Sequence, residues 1–345
     1  MDFVHAIRIR AEELLRTSRS ENRSVDDLYN FRQISQLLRN FVTRNPQGIP
    51  QAKMAECQTI PVSVIVPVRN EAKNLPRCLE SLRNFGEVYV VDSQSEDATV
   101  EVARSHNAKV VQFFYQGGWP KKRQWALENL TFLYDWVLLM DADEAMTPSL
   151  AAEINSSINS GDADGYYIKL QMFFLNRQLR FSGANFWKMS LFRRTKGAYE
   201  CRLKSQDMSM ADMEVHEHVV INGCTARLKN SIVHHNVESL SRYFQKHNEY
   251  SNWEAKVWFS GEDESGLRPS LFGVQAQRRR WLKKHFMGLP GSPIFLFLYK
   301  YFLCLGFLDG VPGLLYCCYQ GVQLFNVKAK IYEMRVNDRK GRSGW

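Results

Sequence analysis

Between Pro61 and Glu144, four short apolar runs alternate with stretches of helical pattern, and this alternation constrains the chain more than any other feature. The runs are Val62–Val66, Glu87–Val91, Lys109–Phe114 and Trp136–Met140. After the first, Leu75, Cys78, Leu79 and Leu82 fall on one helical face behind Asn74, a residue suited to an N-cap; after the second, Asp97 is placed to cap a helix running to His106. Strands alternating with helices of about ten residues predict a mainly parallel sheet with right-handed crossovers. Trp136-Val137-Leu138-Leu139-Met140 is apolar throughout, as a strand buried on both faces requires, and Asp141-Ala142-Asp143-Glu144 follows at once. Ligands in such sheets bind just beyond the carboxyl ends of the strands. Two Asp at i and i+2 in a strand-end loop can turn both carboxylates toward one hard divalent cation. A second Asp-x-Asp, Asp162-Ala163-Asp164, lies between Gly161 and Gly165 and reads as a solvated turn.

The four strand-end loops together describe a ligand. Pro67-Val68-Arg69-Asn70-Glu71 leaves the first strand with a carboxylate and an amide. Asp92 ends the second, where it can accept from a pyrimidine N–H or bind a ribose hydroxyl. The third loop carries Gly117-Gly118 and opens a helix at Lys121-Lys122-Arg123, a setting of backbone N–H groups and cations that suits a diphosphate. The fourth brings Asp141 and Asp143 for a metal that neutralises that diphosphate. Base, ribose, diphosphate and metal add up to a nucleotide diphosphate.

Beyond Gly165 the texture turns to strands: Tyr166–Phe174, Met189–Arg193, and Val215–Thr225 broken by Asn222-Gly223, a hairpin signal. Glu214-Val215-His216-Glu217-His218 alternates acids and imidazoles, and one of its carboxylates is placed to act as general base on an acceptor hydroxyl. It lacks the helical His-Glu-x-x-His spacing of a zinc site. His234, near the end of the strand containing Ile232, offers an imidazole to a metal shell. Residues 1–58 read as a basic helical extension, with Phe31, Ile34, Leu37, Leu38 and Phe41 at helical spacing.

At 345 residues the chain is long for one domain, and it divides into the extension (1–58), an α/β domain (59–260) and a basic, amphipathic helical region (261–345). The net charge of +9 points either to an anionic partner (nucleic acid, anionic lipid or a phosphorylated small molecule) or to solubility alone. Arg278-Arg279-Arg280-Trp281-Leu282-Lys283-Lys284 supplies a basic cluster, and the apolar stretches Ile294–Leu308 and Leu314–Val327 flank an Asp309-Gly310-Val311-Pro312-Gly313 break. Each is shorter than the ~18 to 20 residues of a bilayer span, so helices lying in the interface of an anionic membrane are expected, with helices closing the domain as the alternative. No recognition motif accompanies the cluster, so nucleic acid is not expected. Seven cysteines without Cys-x-x-Cys spacing, and no signal-peptide core, suit a reducing cytoplasm.

The segments Val64–Glu71 and Val90–Thr99 resemble the opening of glycosyltransferase family 2, and Asp141-Ala142-Asp143-Glu144 is similar to that family's acidic motif. Leu191–Arg194, Val215–His218, Asn222-Gly223, Leu228, His234 and the region from Lys246 to Tyr250 resemble its bacterial lipopolysaccharide-core glucosyltransferase subgroup. Gly306–Gly310 with Pro312-Gly313 is similar to that subgroup's membrane-proximal tail. The resemblance implies a GT-A fold, Rossmann-like with helices on both faces, and a nucleotide-sugar donor, with a UDP-sugar expected. It also implies Mn2+ or Mg2+ and inversion at the anomeric carbon. On that mapping Asp92 reads the nucleobase, Asp143 ligates the metal, Asp141 holds ribose or sugar hydroxyls, His234 adds a metal ligand and Glu217 is the base. The acceptor is expected to be a glycan or lipid-linked hydroxyl in cell-envelope polysaccharide or lipopolysaccharide synthesis, met by an enzyme peripheral on the inner face of the cytoplasmic membrane. The rival readings are a nucleotidyltransferase acting on sugar phosphates and a non-catalytic membrane-associated scaffold.

Overall fold

The computed structural model describes residues 59–204, 212, 214, 217–235, 239–261, 270–272 and 275–342. The helical extension expected for 1–58 and part of the segment around His216 lie outside the described residues. Thr59–Trp345 is one compact unit.

The expected alternation is present. In chain order come β1 (Ile60–Val68), α1 (Leu75–Ser81), β2 (Phe85–Asp92), α2 (Thr99–Ser105), β3 (Lys109–Gln112), α3 (Lys122–Asn129) and β4 (Trp136–Leu139). Short β5 (Glu144–Ala145), α4 (Pro148–Ser160), β6 (Gly165–Phe174), β7 (Arg177–Gln178), β8 (Phe186–Arg193), β9 (Gly197–Tyr199), β10 (Val219–Ile221) and β11 (Thr225–His235) follow. Helices α5 (Leu240–Ser260), α6 (Gln275–Gly288), α7 (Ser292–Leu298) and α8 (Gly310–Arg342) complete the unit.

Among the described residues one nine-stranded sheet runs β3-β2-β1-β4-β8-β6-β11-β5, with β7 on the end of β6. Strands β1 to β4 pair in parallel, whereas β8 enters antiparallel between β4 and β6. The sheet is therefore mixed, with its parallel half first. Strand alternation sends Val62, Val64, Val66 and Val68 to one face against Leu75, Leu79, Leu150 and Ile154; Ile65, Val91, Val137 and Leu139 go to the other against Ala126 and Phe132. With both faces covered, the runs have to be continuously apolar.

Two local expectations fail. Asn222-Gly223 turns the chain but makes no hairpin, because β10 pairs with β9 while β11 pairs in parallel with β6. Asn74 makes no side-chain cap, since its amide donates to Glu71 Oε2 at 2.8 Å instead. By contrast, Thr147 accepts from Leu150 N at 3.2 Å at the start of α4, and Gly161 ends that helix in the left-handed region at φ 73°.

Candidate active site at the strand ends

The ends of β1, β4, β6 and β11 meet at one rim of the sheet. Register brings β5 against β11 there, with Glu144 opposite His234 and Ala145 opposite Val233. The backbone of Asp143 joins the same ladder, its carbonyl accepting from His235 N at 3.0 Å. Asp143 Oδ1 and His234 Nε2 consequently lie 3.2 Å apart, joining residues 91 positions apart in sequence. Burial alone would depress the imidazole, but Asp143 beside it holds His234 protonated, with its pKa raised to about 9. Asp143 is pushed down in return, its burial outweighed by His234 and Lys246.

Asp141 faces the other way. Arg123 Nη2 donates to its Oδ1 and Lys188 Nζ to its Oδ2 at 2.9 Å, which holds its carboxyl far below the usual range despite burial. Glu144, fully buried, accepts from Asp141 N at 2.8 Å and lies 3.4 Å from Lys188. Its pKa is raised by burial, with Lys188 opposing and Asp141 adding to the rise. Asp141 thus anchors two cations, and of the three expected metal ligands Asp143 and His234 are the two that face each other. Among the described residues no trio of His, Cys, Asp or Glu converges on a metal position. The pair still suits a cation: adjacent ligands of an octahedral ion at ~2.1 Å stand about 3 Å apart, and such ions draw their remaining ligands from phosphate and water.

The loop after β1 is built to hold a shape. Pro67 is buried within the strand, and Asn70 sits in the left-handed region at φ 54°, donating its N–H to Ser95 Oγ at 2.8 Å and accepting from Glu96 N at 2.8 Å. Glu71, buried, accepts from Arg242 Nη2 at 2.8 Å and Lys246 Nζ at 3.2 Å, tying the loop to α5. Arg69 is exposed. An open depression of about 670 Å³, lined by Asn70, Lys73, Glu96, Asp97 and Arg242 among others, borders this loop.

Three groups of expected site residues are engaged within the protein itself. Asp92 is fully buried, and its carboxylate accepts from Ser95 N at 3.1 Å, Ser95 Oγ and Gln112 Nε2 at 2.9 Å. Its carboxylate braces the loop after β2. Lys121, Lys122 and Arg123 are likewise buried, with Asp212, Glu214 and Glu217 against the start of α3. Lys122 Nζ meets Asp212 Oδ2 at 3.0 Å and donates to Val68 O at 2.9 Å. Glu214 accepts the N–H groups of Arg123 and Gln124 at 3.1 and 2.9 Å, and Arg123 Nη1 donates to Glu214 O at 2.6 Å. Glu217 Oε1 stands 3.7 Å from Lys121 Nζ, both side chains 0% exposed. The trio suited to a diphosphate is occupied by carboxylates, and the expected base is sealed among them.

Helix α5 supplies groups to which the sequence reading assigned no role. Arg242, Lys246, Glu249, Tyr250 and Trp253 recur at three- and four-residue spacing and form one stripe along the rim. Lys246, raised by Glu71 and Asp143 against its burial, stands between the loop and the Asp143–His234 pair. Glu249 is raised by burial, with Arg69 opposing and Asp212 adding. Lys121 lies 5.3 Å from the Trp253 ring centroid. A lone lysine in the apolar run Phe186-Trp187-Lys188-Met189 was the available signal for Lys188.

Residues 63–220 match the model of "Glycosyl transferase family 2". That span is a domain of this family. It is 29% identical over 270 residues to an uncharacterized glycosyltransferase of Rickettsia conorii, covering 75% of this chain and 87% of that one. It is 25% identical over 288 residues to the lipopolysaccharide core biosynthesis glycosyltransferase LpsC of Rhizobium meliloti, covering 79% and 93%. Among solved structures, S. aureus TarS 1-349 in complex with UDP-GlcNAc is 18% identical, covers 80% of this chain and 92% of that one, and superposes with a TM-score of 0.40. The sheet order and flanking helices of this family 2 glycosyltransferase are those of a GT-A fold.

Proposed function

We propose that this family 2 glycosyltransferase moves a sugar from a UDP-sugar to a hydroxyl of a glycan or lipid-linked acceptor in lipopolysaccharide or envelope polysaccharide synthesis, with inversion and with a divalent cation. The likeness to LpsC supports the acceptor class, and the family favours sugar transfer over nucleotidyl transfer or a scaffold role. The observation that carries the chemistry is the Asp143–His234 pair, 3.2 Å apart at the strand ends with Lys246 beside it and Arg242 next to Lys246 on Glu71. A nitrogen donor in the set favours Mn2+ over Mg2+, which takes oxygen ligands. Once bound, the cation would neutralise the departing diphosphate.

The chain's own residues do the rest. Lys246, Arg242 and Arg69 receive the diphosphate from the α5 side, and Asp141 holds Arg123 and Lys188 at the sugar end. Glu217 is the base, and it works only after leaving Lys121. A diphosphate is a rival anion for Lys121, Lys122 and Arg123, so donor binding competes with Asp212, Glu214 and Glu217 for those cations and releases the acidic segment toward the acceptor. Ligand-free geometry of a base often differs from its working geometry for this kind of reason.

The test is turnover of a UDP-sugar panel with Mn2+, with product configuration read by NMR. Glu217→Gln is expected to lose about 10²- to 10⁴-fold in kcat while still binding UDP, and Asp143→Ala to lose both turnover and metal-dependent donor binding. Wild-type rates in both variants, or a product of retained configuration, overturn the reading.

A further inference from the structure

The C-terminal helices are apolar on two opposite faces, and the domain covers only one. On α8, Tyr316, Cys317, Leu324, Val327 and Ile331 are buried. The opposite side carries Val311, Leu315, Cys318, Val322 and Phe325, spaced every three or four residues as one stripe, all exposed. The preceding turn of chain does the same: Ile294, Phe295, Leu298, Tyr299, Phe302 and Leu303 line one exposed face, with Leu303 77% exposed. A helix apolar all round needs a second apolar medium, and a contiguous exposed patch of this kind marks an interaction surface.

Geometry limits what that medium can be. Among the described residues no single helix is long and apolar enough to cross a membrane, but Ser292–Leu303 and Gly306–Arg339 form a pair bent by 72°. The first arm is at most about 18 Å long at 1.5 Å per residue, against a hydrocarbon core of about 30 Å. The second arm turns polar beyond Phe325. Lys328 Nζ donates to Leu289 O at 2.7 Å and Ser292 Oγ at 3.0 Å, and Lys330 Nζ to Asn248 O at 2.9 Å, so that end is fastened to the protein. The bend is close-packed: a Cβ on Gly313 would meet Gly306 O at 2.3 Å, and one on Gly306 would meet Cys317 Sγ at 2.7 Å. Beside it, α6 exposes Arg278, Lys284 and His285 together with Leu282.

We propose that the bent pair is a monotopic anchor that seats its exposed stripe in one leaflet of an anionic bilayer, with the cations of α6 on the lipid headgroups. Asp309 fixes the anchor to the catalytic domain. Buried in the break, it accepts from Arg180 N at 3.0 Å, Phe181 N at 3.1 Å and Ser182 Oγ at 2.7 Å, in the loop between β7 and β8. That loop follows β7, which pairs with Phe173 and Phe174 of β6, and Phe173 in turn pairs with His235. The leaflet is thereby tied to the strand end that bears His234. That the acceptor reaches the site from this surface rests on the transferase reading; the seating does not.

The full chain is incubated with vesicles of phosphatidylcholine alone or with about one third phosphatidylglycerol, then floated and labelled with a membrane-impermeant maleimide read site by site by mass spectrometry. Cys318 lies on the stripe and Cys224 in the turn before β11, and both are exposed. The expected result is flotation at least fivefold stronger with phosphatidylglycerol and weakened in about 1 M salt, where screening reaches ~3 Å. Cys318 is then labelled at least tenfold more slowly and Cys224 at an unchanged rate. Phe302→Glu with Phe325→Glu loses flotation by tenfold or more at unchanged circular dichroism and unchanged UDP binding. The proposal is overturned by no flotation, by equal protection of Cys224, by flotation indifferent to phosphatidylglycerol, or by Cys318 protected without vesicles in a self-associated form.

Discussion

At the residue scale, the decisive fact is that Asp143 and His234 share one hydrogen-bonding geometry while Asp141 is spent on Arg123 and Lys188. The proton on His234 is held there by Asp143, so the sign of its response is fixed. A pKa raised by a neighbouring anion must fall when that anion is neutralised. Asp143→Asn is expected to lower His234 from about 9 toward its ordinary value of about 6.5, its burial then opposed only by the more distant Glu144 and Asp141. Titrating the imidazole by NMR in the metal-free protein checks this, and a value unmoved in the variant would refute the pairing. The acidic motif was legible in the sequence because an apolar strand ran straight into it. The separate jobs of its two aspartates were not, since these depend on Lys188 and His234, 47 and 91 positions away.

At the element scale, the parallel half of the sheet is braced by a buried carboxylate. Glu87 of β2 accepts from Ser63 Oγ of β1 at 2.6 Å, from Lys109 Nζ of β3 at 2.6 Å and from Leu133 N at 3.1 Å. Burial would raise its pKa, but these donors outweigh it and the pKa is lowered. A depressed folded pKa gives stability that is fully present above the unfolded value of about 4.3 and lost as pH falls through the folded value. Glu87→Gln is therefore expected to lower Tm at pH 7, with the gap to wild type closing below about pH 4; a gap constant with pH would remove the brace. The β7–β8 loop depends on Asp309 in the same way. Asp309→Ala strands the N–H groups of Arg180 and Phe181, and should cost about 2 to 4 kcal/mol in urea unfolding. Strands were readable from period and composition, but the partner of β10 was not, because an Asn-Gly turn specifies only the local reversal.

At the scale of the whole molecule, three modules meet on one rim: the sheet ends, the stripe on α5 and the break before α8. A donor that binds only the folded protein stabilises it by about 2.7 kcal/mol at a hundredfold excess over Kd. UDP with Mn2+ is expected to raise Tm together and by less apart, and Asp143→Ala to remove the metal-dependent part. Thermal shift measurements decide it, and an equal shift in the variant would place the cation elsewhere. The C-terminal helices close the domain with one face and expose the other.

The sequence alone determined the βα alternation, the acidic strand end and the family, because each rests on residues close together in the chain, where period and composition act directly. Tertiary structure alone decided which charges stay available. Lys121, Lys122 and Arg123 look like an anion site in sequence, yet Asp212, Glu214 and Glu217 reach them from some ninety positions away. A buried cation takes whichever anion the fold brings nearest, and no local pattern records that choice.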